Sequence, residues 1–153
     1  GDGLLGTGGQ LGIRFFDCSF VFTNRTSYFA ASATCESDGG RLASIHNAYT
    51  NNFIQQMAEK EGILVWLGLK CSDLVAKNCQ WDDGKGPSYP YDAFYPGNPS
   101  VIGSCVLMMI GGPADGKWIS GDCDNMQIGF VCQVSKQGIS FLFLEAAIAM
   151  VGG

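Results

Sequence analysis

Trp66-Leu67-Gly68-Leu69-Lys70-Cys71, running on through Cys79 to Gln80-Trp81-Asp82-Asp83-Gly84 (residues 66–84, WLGLKCSDLVAKNCQWDDG), is where the chain changes character. Ile63 to Leu69 is a compact apolar run that follows Gly62, which predicts a buried strand. Cys79 to Trp81 predicts a short second strand, and Asp82-Asp83-Gly84 reads as a turn. The two aspartates are adjacent and project differently, so solvation accounts for them better than an acid pair does. From here to Phe130 the chain is rich in Gly, Pro, Asp and Asn, with short strand-like pieces at Val106 to Ile110, Lys117 to Ile119 and Phe130 to Val134.

Upstream the periodicity is different. Ile13 to Phe22 is an apolar and aromatic run that suggests a first strand. Thr26 or Ser27 then caps a short helix that carries Cys35 and ends at Gly39 and Gly40. Ser44 to Ala58 predicts a second helix, with Thr50, Phe53, Ile54 and Met57 lining its apolar face and Gly62 as the stop. His46, the only histidine, falls at the start of this helix and reads as a surface or capping residue. Two helices followed by short strands around a long irregular excursion describe an α+β domain, with the excursion as the expected binding surface. That domain is expected over residues 13–136. Residues 1–12, with six glycines, read as a flexible leader. Residues 137–153 form an apolar tail, too short from Ile139 to Val151 to span a bilayer and carrying Glu145. A packed or interfacial helix is the expectation there, a truncated membrane or lipid anchor the alternative.

Composition narrows the function. Hydrophobic residues at 46% and charged residues at 15% describe a chain that folds rather than a disordered one. A net charge of −5 repels phosphate backbones and anionic lipids, which argues against nucleic acid as a partner and leaves membrane association to the tail alone. Seven cysteines with no CxxC pair and a single histidine lack the ligand grammar of a zinc site, so disulfides are the better account. Disulfides place the protein in a secreted, luminal or cell-surface setting. Asn24-Arg25-Thr26 is an N-glycosylation sequon that fits this compartment, whereas Pro99 disqualifies Asn98. The chain has neither an initiator Met nor a signal peptide and reads as a mature or excised form. With no GxSxG elbow, no phosphate-binding glycine loop and no base beside a nucleophile, an enzyme is the least supported class.

Several pieces then occur in order: Cys35 ahead of Gly39-Gly40-Arg41-Leu42-Ala43-Ser44-Ile45; Trp66-Leu67-Gly68-Leu69; Trp81-Asp82-Asp83-Gly84; and Pro96-Gly97-Asn98-Pro99. Cys105, Gly116-Lys117-Trp118, Cys123 and Gly129-Phe130-Val131-Cys132 follow. This ordered set resembles the C-type lectin-like domain over roughly Cys18 to Val134. The Cys71 and Cys79 pair, together with Cys123-Asp124-Asn125-Met126, resembles the version expanded in nematodes. The resemblance implies two helices packed on small antiparallel sheets with a long loop region. It also implies bridges Cys35–Cys132 and Cys105–Cys123, with Cys71–Cys79 as the remaining close pair. Cys18 is left over, to pair with a cysteine outside this chain or to remain a thiol.

In sugar-binding members of that family, a calcium ion is held by a Glu-Pro-Asn or Gln-Pro-Asp loop, an acidic residue before the third cysteine and an Asn-Asp pair after a tryptophan. Here those positions read Asn98-Pro99-Ser100, Gly103 and Ile119-Ser120. The proline is kept, and is expected to be cis by resemblance, but the charged oxygens are gone, and calcium needs six to eight oxygen ligands. The expectation is therefore no metal and no cofactor. The domain is read as binding a glycan or an extracellular protein through Tyr95, Asn98, Ser100, Ser120 and Asp122. Tyr89, Phe94 and the three tryptophans are read as loop-base core rather than ligand contacts. Two alternatives remain: a calcium-dependent lectin with an altered site at Asn98, Ser100 and Asp122, or a structural interaction domain of a larger extracellular protein. Innate recognition is a role common in the family.

Overall fold

The computed structural model describes residues 15–87 and 89–137. Chain contacts divide into two units: Ser19–Gln133, and Gly1–Cys18 with Val134–Gly153. Of the second unit only the outer ends of two strands are described, so the expected leader over residues 1–12 and all but the first residue of the tail lie outside the described residues.

In chain order the elements are β1 (Phe15–Thr26), α1 (Tyr28–Ser37), β2 (Arg41–Leu42), α2 (Ala48–Glu61), β3 (Val65–Lys70), β4 (Gln80–Trp81), β5 (Cys105–Met108), β6 (Trp118–Gly121) and β7 (Ile128–Gln137). Ser27 caps α1, its side chain accepting from the Ala30 N–H at 3.4 Å. The helix stops at Asp38, with Gly39 at φ +84°. Asn47 caps α2 by accepting from the Thr50 N–H at 2.8 Å, and Gly62 ends it in the left-handed conformation. The second helix thus begins four residues later than the periodicity predicts. Ser44 and Ile45 are buried in the approach to it, and Asn47 has the side-chain acceptor a cap needs.

The α+β expectation holds, with one refinement: the strands form a single seven-stranded mixed sheet. Its order is β1-β7-β3-β5-β6, with β2 beside β7 and β4 beside β3. β3 pairs antiparallel with β5 (Val65↔Met108, Trp66↔Leu107) and parallel with β7 (Val65↔Gly129, Trp66↔Phe130). β3 therefore lies in the middle with both faces covered, and a strand so placed reads as a continuous apolar run. Alternation sends Val65, Leu67 and Leu69 into a core with Ile54, Ala58, Trp81, Trp118 and Val131. Trp66 joins Tyr28, Ala31, Leu42, Leu107 and Phe130 in a second core. Gly68 is required between them, because a Cβ there would come within 2.6 Å of the Leu42 carbonyl oxygen.

The buried face of α2 is Asn51, Ile54 and Ala58, whereas Phe53, expected inside, is 49% exposed. The rotation follows from Asn51. Its Nδ2 donates to the Gly116 carbonyl at 3.0 Å, and its Oδ1 accepts from Trp118 Nε1 at 2.8 Å, so the buried amide is satisfied at both ends. Hydropathy could not place a polar residue there. Three disulfides close the framework: Cys35–Cys132, Cys71–Cys79 and Cys105–Cys123. Cys18 is a free, half-buried thiol.

Candidate binding site

Residues 82–104 form the excursion between β4 and β5, and its two ends are held differently. At the near end, Asp82 and Asp83 take separate partners rather than simply facing water. The Tyr28 hydroxyl donates to the Asp82 carboxylate at 3.3 Å, and Arg41 donates to the Asp82 carbonyl at 3.2 Å. Burial pushes the Asp82 carboxyl above the usual range, against the pull of Lys70. Burial first, and then the Asp82 charge, push the Tyr28 phenol well above its ordinary range. Asp83 Oδ2 lies 2.9 Å from His46 Nε2. Burial raises the Asp83 carboxyl, but bonds to His46 and to the Lys85 N–H outweigh it and hold the group below its usual value. His46 therefore joins the entry of α2 to the loop, a role its sequence position did not reveal.

At the far end, the chain runs under Trp118. Tyr91 and Phe94 meet its ring edge-on, at centroid distances of 5.9 and 5.4 Å, and Trp81 does so at 5.4 Å. The Tyr95 N–H donates to the Trp118 carbonyl at 2.9 Å. The Asn98–Pro99 peptide is cis, as is Tyr89–Pro90. Asn98 then closes the loop onto β6: its Oδ1 accepts from the Ser120 N–H at 3.0 Å, and its Nδ2 donates to the Tyr95 carbonyl at 3.3 Å. Ser120 Oγ accepts from the Ser100 N–H at 2.8 Å.

Four of the five candidate contact residues, Tyr95, Asn98, Ser100 and Ser120, thus come together in this clamp. Two of those four need correction as ligand contacts. Ser120 is only 1% exposed and its hydroxyl is spent on Ser100, because β6 turns that side chain into the loop base. Asn98 is half-buried with both amide ends occupied inside the loop. Asp122 is outside the clamp and folds on itself, accepting from the Asn125 side chain at 3.0 Å and from the Asp124 and Asn125 N–H groups. Those bonds, led by the Asn125 side chain, hold its carboxyl below the usual range.

Near the clamp the loop presents Val101 (87% exposed) and Ile102 (63%) outward, and Tyr95 and Ser100 are half-buried. Neither apolar residue was singled out by the sequence, since two aliphatics after a proline look like any short strand fragment. Tyr89, read as core, is 61% exposed, whereas Phe94 and the tryptophans are packed as expected.

The oxygen set at the implied calcium positions does not fit the ion. A Cβ on Gly103 would run into the Gly121 carbonyl oxygen and lie 2.9 Å from Asp122 Cα, so that position has no room for a carboxylate. The neighbouring donors are an amide and hydroxyls already bonded within the loop, and no cluster of three or more metal-ligating side chains occurs among the described residues.

The lectin C-type domain model matches residues 24–134, from the outer strand through the clamp to the last cysteine. The chain belongs to this family. Among C-type lectin relatives, human lymphocyte antigen 75 is 28% identical over 113 residues, covering 73% of this chain and 6% of its own length. Nematode C-type lectin domain-containing protein 38 from Caenorhabditis elegans is 27% identical over 120 residues, covering 76% of this chain and 31% of its own length. The chain therefore spans well under half of either relative. A calcium-independent type II antifreeze protein shares the lectin fold with a TM-score of 0.65 at 25% identity, over 84% of this chain and 93% of that one. A disulfide-rich C-type lectin domain fits an extracellular protein, and no helix of the described residues is long and apolar enough to cross a membrane.

Proposed function

We propose that this C-type lectin domain is a non-enzymatic recognition module that binds a glycan or an extracellular protein without calcium, through the loop closed by Asn98 and Ser120. The observation that carries the reading is the occupancy of the calcium positions by the protein itself. Gly103 is packed against the backbone of residues 121 and 122, and both ends of the Asn98 amide are hydrogen-bonded inside the loop. Hydrogen bonds within the loop and the Trp118 aromatic cluster support a loop whose shape does not depend on metal ligation. A calcium-independent antifreeze protein of the same fold at 25% identity is a precedent for the scaffold working in this way. The exposed surface of Tyr95, Ser100, Val101 and Ile102 offers an aromatic ring, a hydroxyl and an apolar tip, which suits a sugar face or a protein surface alike.

The test is a glycan array probed with the disulfide-bonded domain in calcium and in EDTA, alongside capture of extracellular proteins under both conditions. Binding unchanged by EDTA and lost on replacing Val101 and Ile102 by serine supports the reading. Binding abolished by EDTA overturns it in favour of a calcium-dependent lectin with an altered site.

A further inference from the structure

We propose that Asn24 carries an N-linked oligosaccharide that covers the outer edge of the sheet. Asn24-Arg25-Thr26 is the one Asn-x-Ser/Thr triplet in the chain not interrupted by proline. It lies in the last turn-free residues of β1, where Asn24 and Arg25 are exposed and the Asn24 side chain makes no hydrogen bond to another described residue. The contrast with Asn98 is complete, because that amide is held at both ends and is followed by Pro99.

β1 pairs with β7 on one side, so closely that a Cβ on Gly129 would meet the Phe22 carbonyl oxygen at 2.7 Å. On the other side it is the first strand in the sheet order, with no further strand among the described residues. An unpaired strand edge is a template for pairing with another chain, and β1 also leaves Phe20 44% exposed. A bulky, hydrated oligosaccharide at Asn24 blocks that approach.

The chemistry needs a lipid-pyrophosphate-linked oligosaccharide as donor. The Asn24 amide nitrogen bonds to the anomeric carbon as the C–O bond to the pyrophosphate breaks, and one amide proton leaves with the pyrophosphate. Three disulfides mark the oxidising route on which such a donor is met.

The experiment is mass spectrometry of the chain secreted from eukaryotic cells, before and after an amidase that removes N-linked oligosaccharide and leaves aspartate. The expected result is a mass loss localised to the peptide holding residue 24, with Asn24→Gln and Thr26→Ala already at the lower mass and Thr26→Ser retaining the modification. A secreted wild-type chain whose residue-24 peptide carries no added mass overturns the site, a readout that depends on no variant folding. Sedimentation of the amidase-treated chain, expected to show self-association that rises with concentration, tests the covering role. A treated chain as monomeric as the untreated one overturns that role.

Discussion

Asn98 and Ser120, twenty-two positions apart in sequence, are joined by a 3.0 Å hydrogen bond from the Ser120 backbone N–H to the Asn98 side-chain carbonyl, and this bond closes the long loop onto the sheet. Ser120 is buried, so its N–H has no route to water when the acceptor is removed. The same side chain caps the turn through Tyr95, which makes the asparagine amide, with one donor end and one acceptor end, the group that fits.

Replacing Asn98 by alanine orphans the buried Ser120 N–H, while the Tyr95 carbonyl keeps the backbone N–H of residue 98 at 3.0 Å. The expected loss is about 1–3 kcal/mol of stability. Hydrogen exchange at Ser100 and Ser120 should accelerate more than exchange at Trp66 in the central strand. Asn98→Asp keeps an acceptor for the Ser120 N–H and is expected to recover part of that loss, forfeiting only the side-chain bond to the Tyr95 carbonyl.

Gly103→Glu restores an acidic side chain at the position where calcium-binding relatives of the fold hold one, yet it should yield no calcium site. The new Cβ must displace the backbone of Gly121 and Asp122. A loss of about 1–3 kcal/mol from overpacking is expected. A calorimetric titration that found calcium bound by this variant would show that the loop can open around the ion.

Tyr28 gives an alkaline limb to stability. Its folded-state pKa lies above the unfolded one, from burial first and the neighbouring Asp82 second. The sign is therefore that its contribution is fully present below about pH 10, the ordinary phenol value, and is lost as pH rises beyond it, because only the unfolded chain ionises readily. Thermal unfolding from pH 8 to 11 should show this decline, and Tyr28→Phe should flatten it while losing about 0.5–1.5 kcal/mol at neutral pH with the hydroxyl's bond to Asp82.

The three disulfides should differ in worth. Cys35–Cys132 spans 97 residues and Cys71–Cys79 spans 8. Chain-entropy arithmetic gives about 4.7 kcal/mol for the first and about 2.5 kcal/mol for the second. Paired alanine replacements are expected to follow that order in denaturant midpoint, with Cys35→Ala/Cys132→Ala the variant that struggles to fold. The reverse order would mean that strain or denatured-state structure outweighs loop closure.

Much of the fold was legible because its signals are local. Gly62 stops α2 by taking φ +64°, and the run from Val65 to Leu69 is apolar because β3 is covered on both faces. Ser27 was one of two caps open to α1, and the structure selects it. The face of α2 was misread by one residue because Asn51 is buried, and its partners, Gly116 and Trp118, are 65 and 67 residues away. The candidate site was legible as a region and less so residue by residue. Asn98 and Ser120 were expected as ligand contacts and instead bond within the loop, because whether a polar side chain serves a ligand or its own fold depends on who stands opposite it.

By itself, the sequence determined the class of the domain, the presence of its buried central strand and the residues that stand at the implied calcium positions, since each is written in residue type and spacing. Only the tertiary structure decided that Ser120 points inward, that Gly103 is walled in by Gly121, that His46 meets Asp83 and that Val101 and Ile102 face out. The reason is physical: hydrogen bonds and close packing are satisfied by neighbours in space, and a chain that crosses its own sheet brings together groups whose sequence separation carries no trace of the meeting.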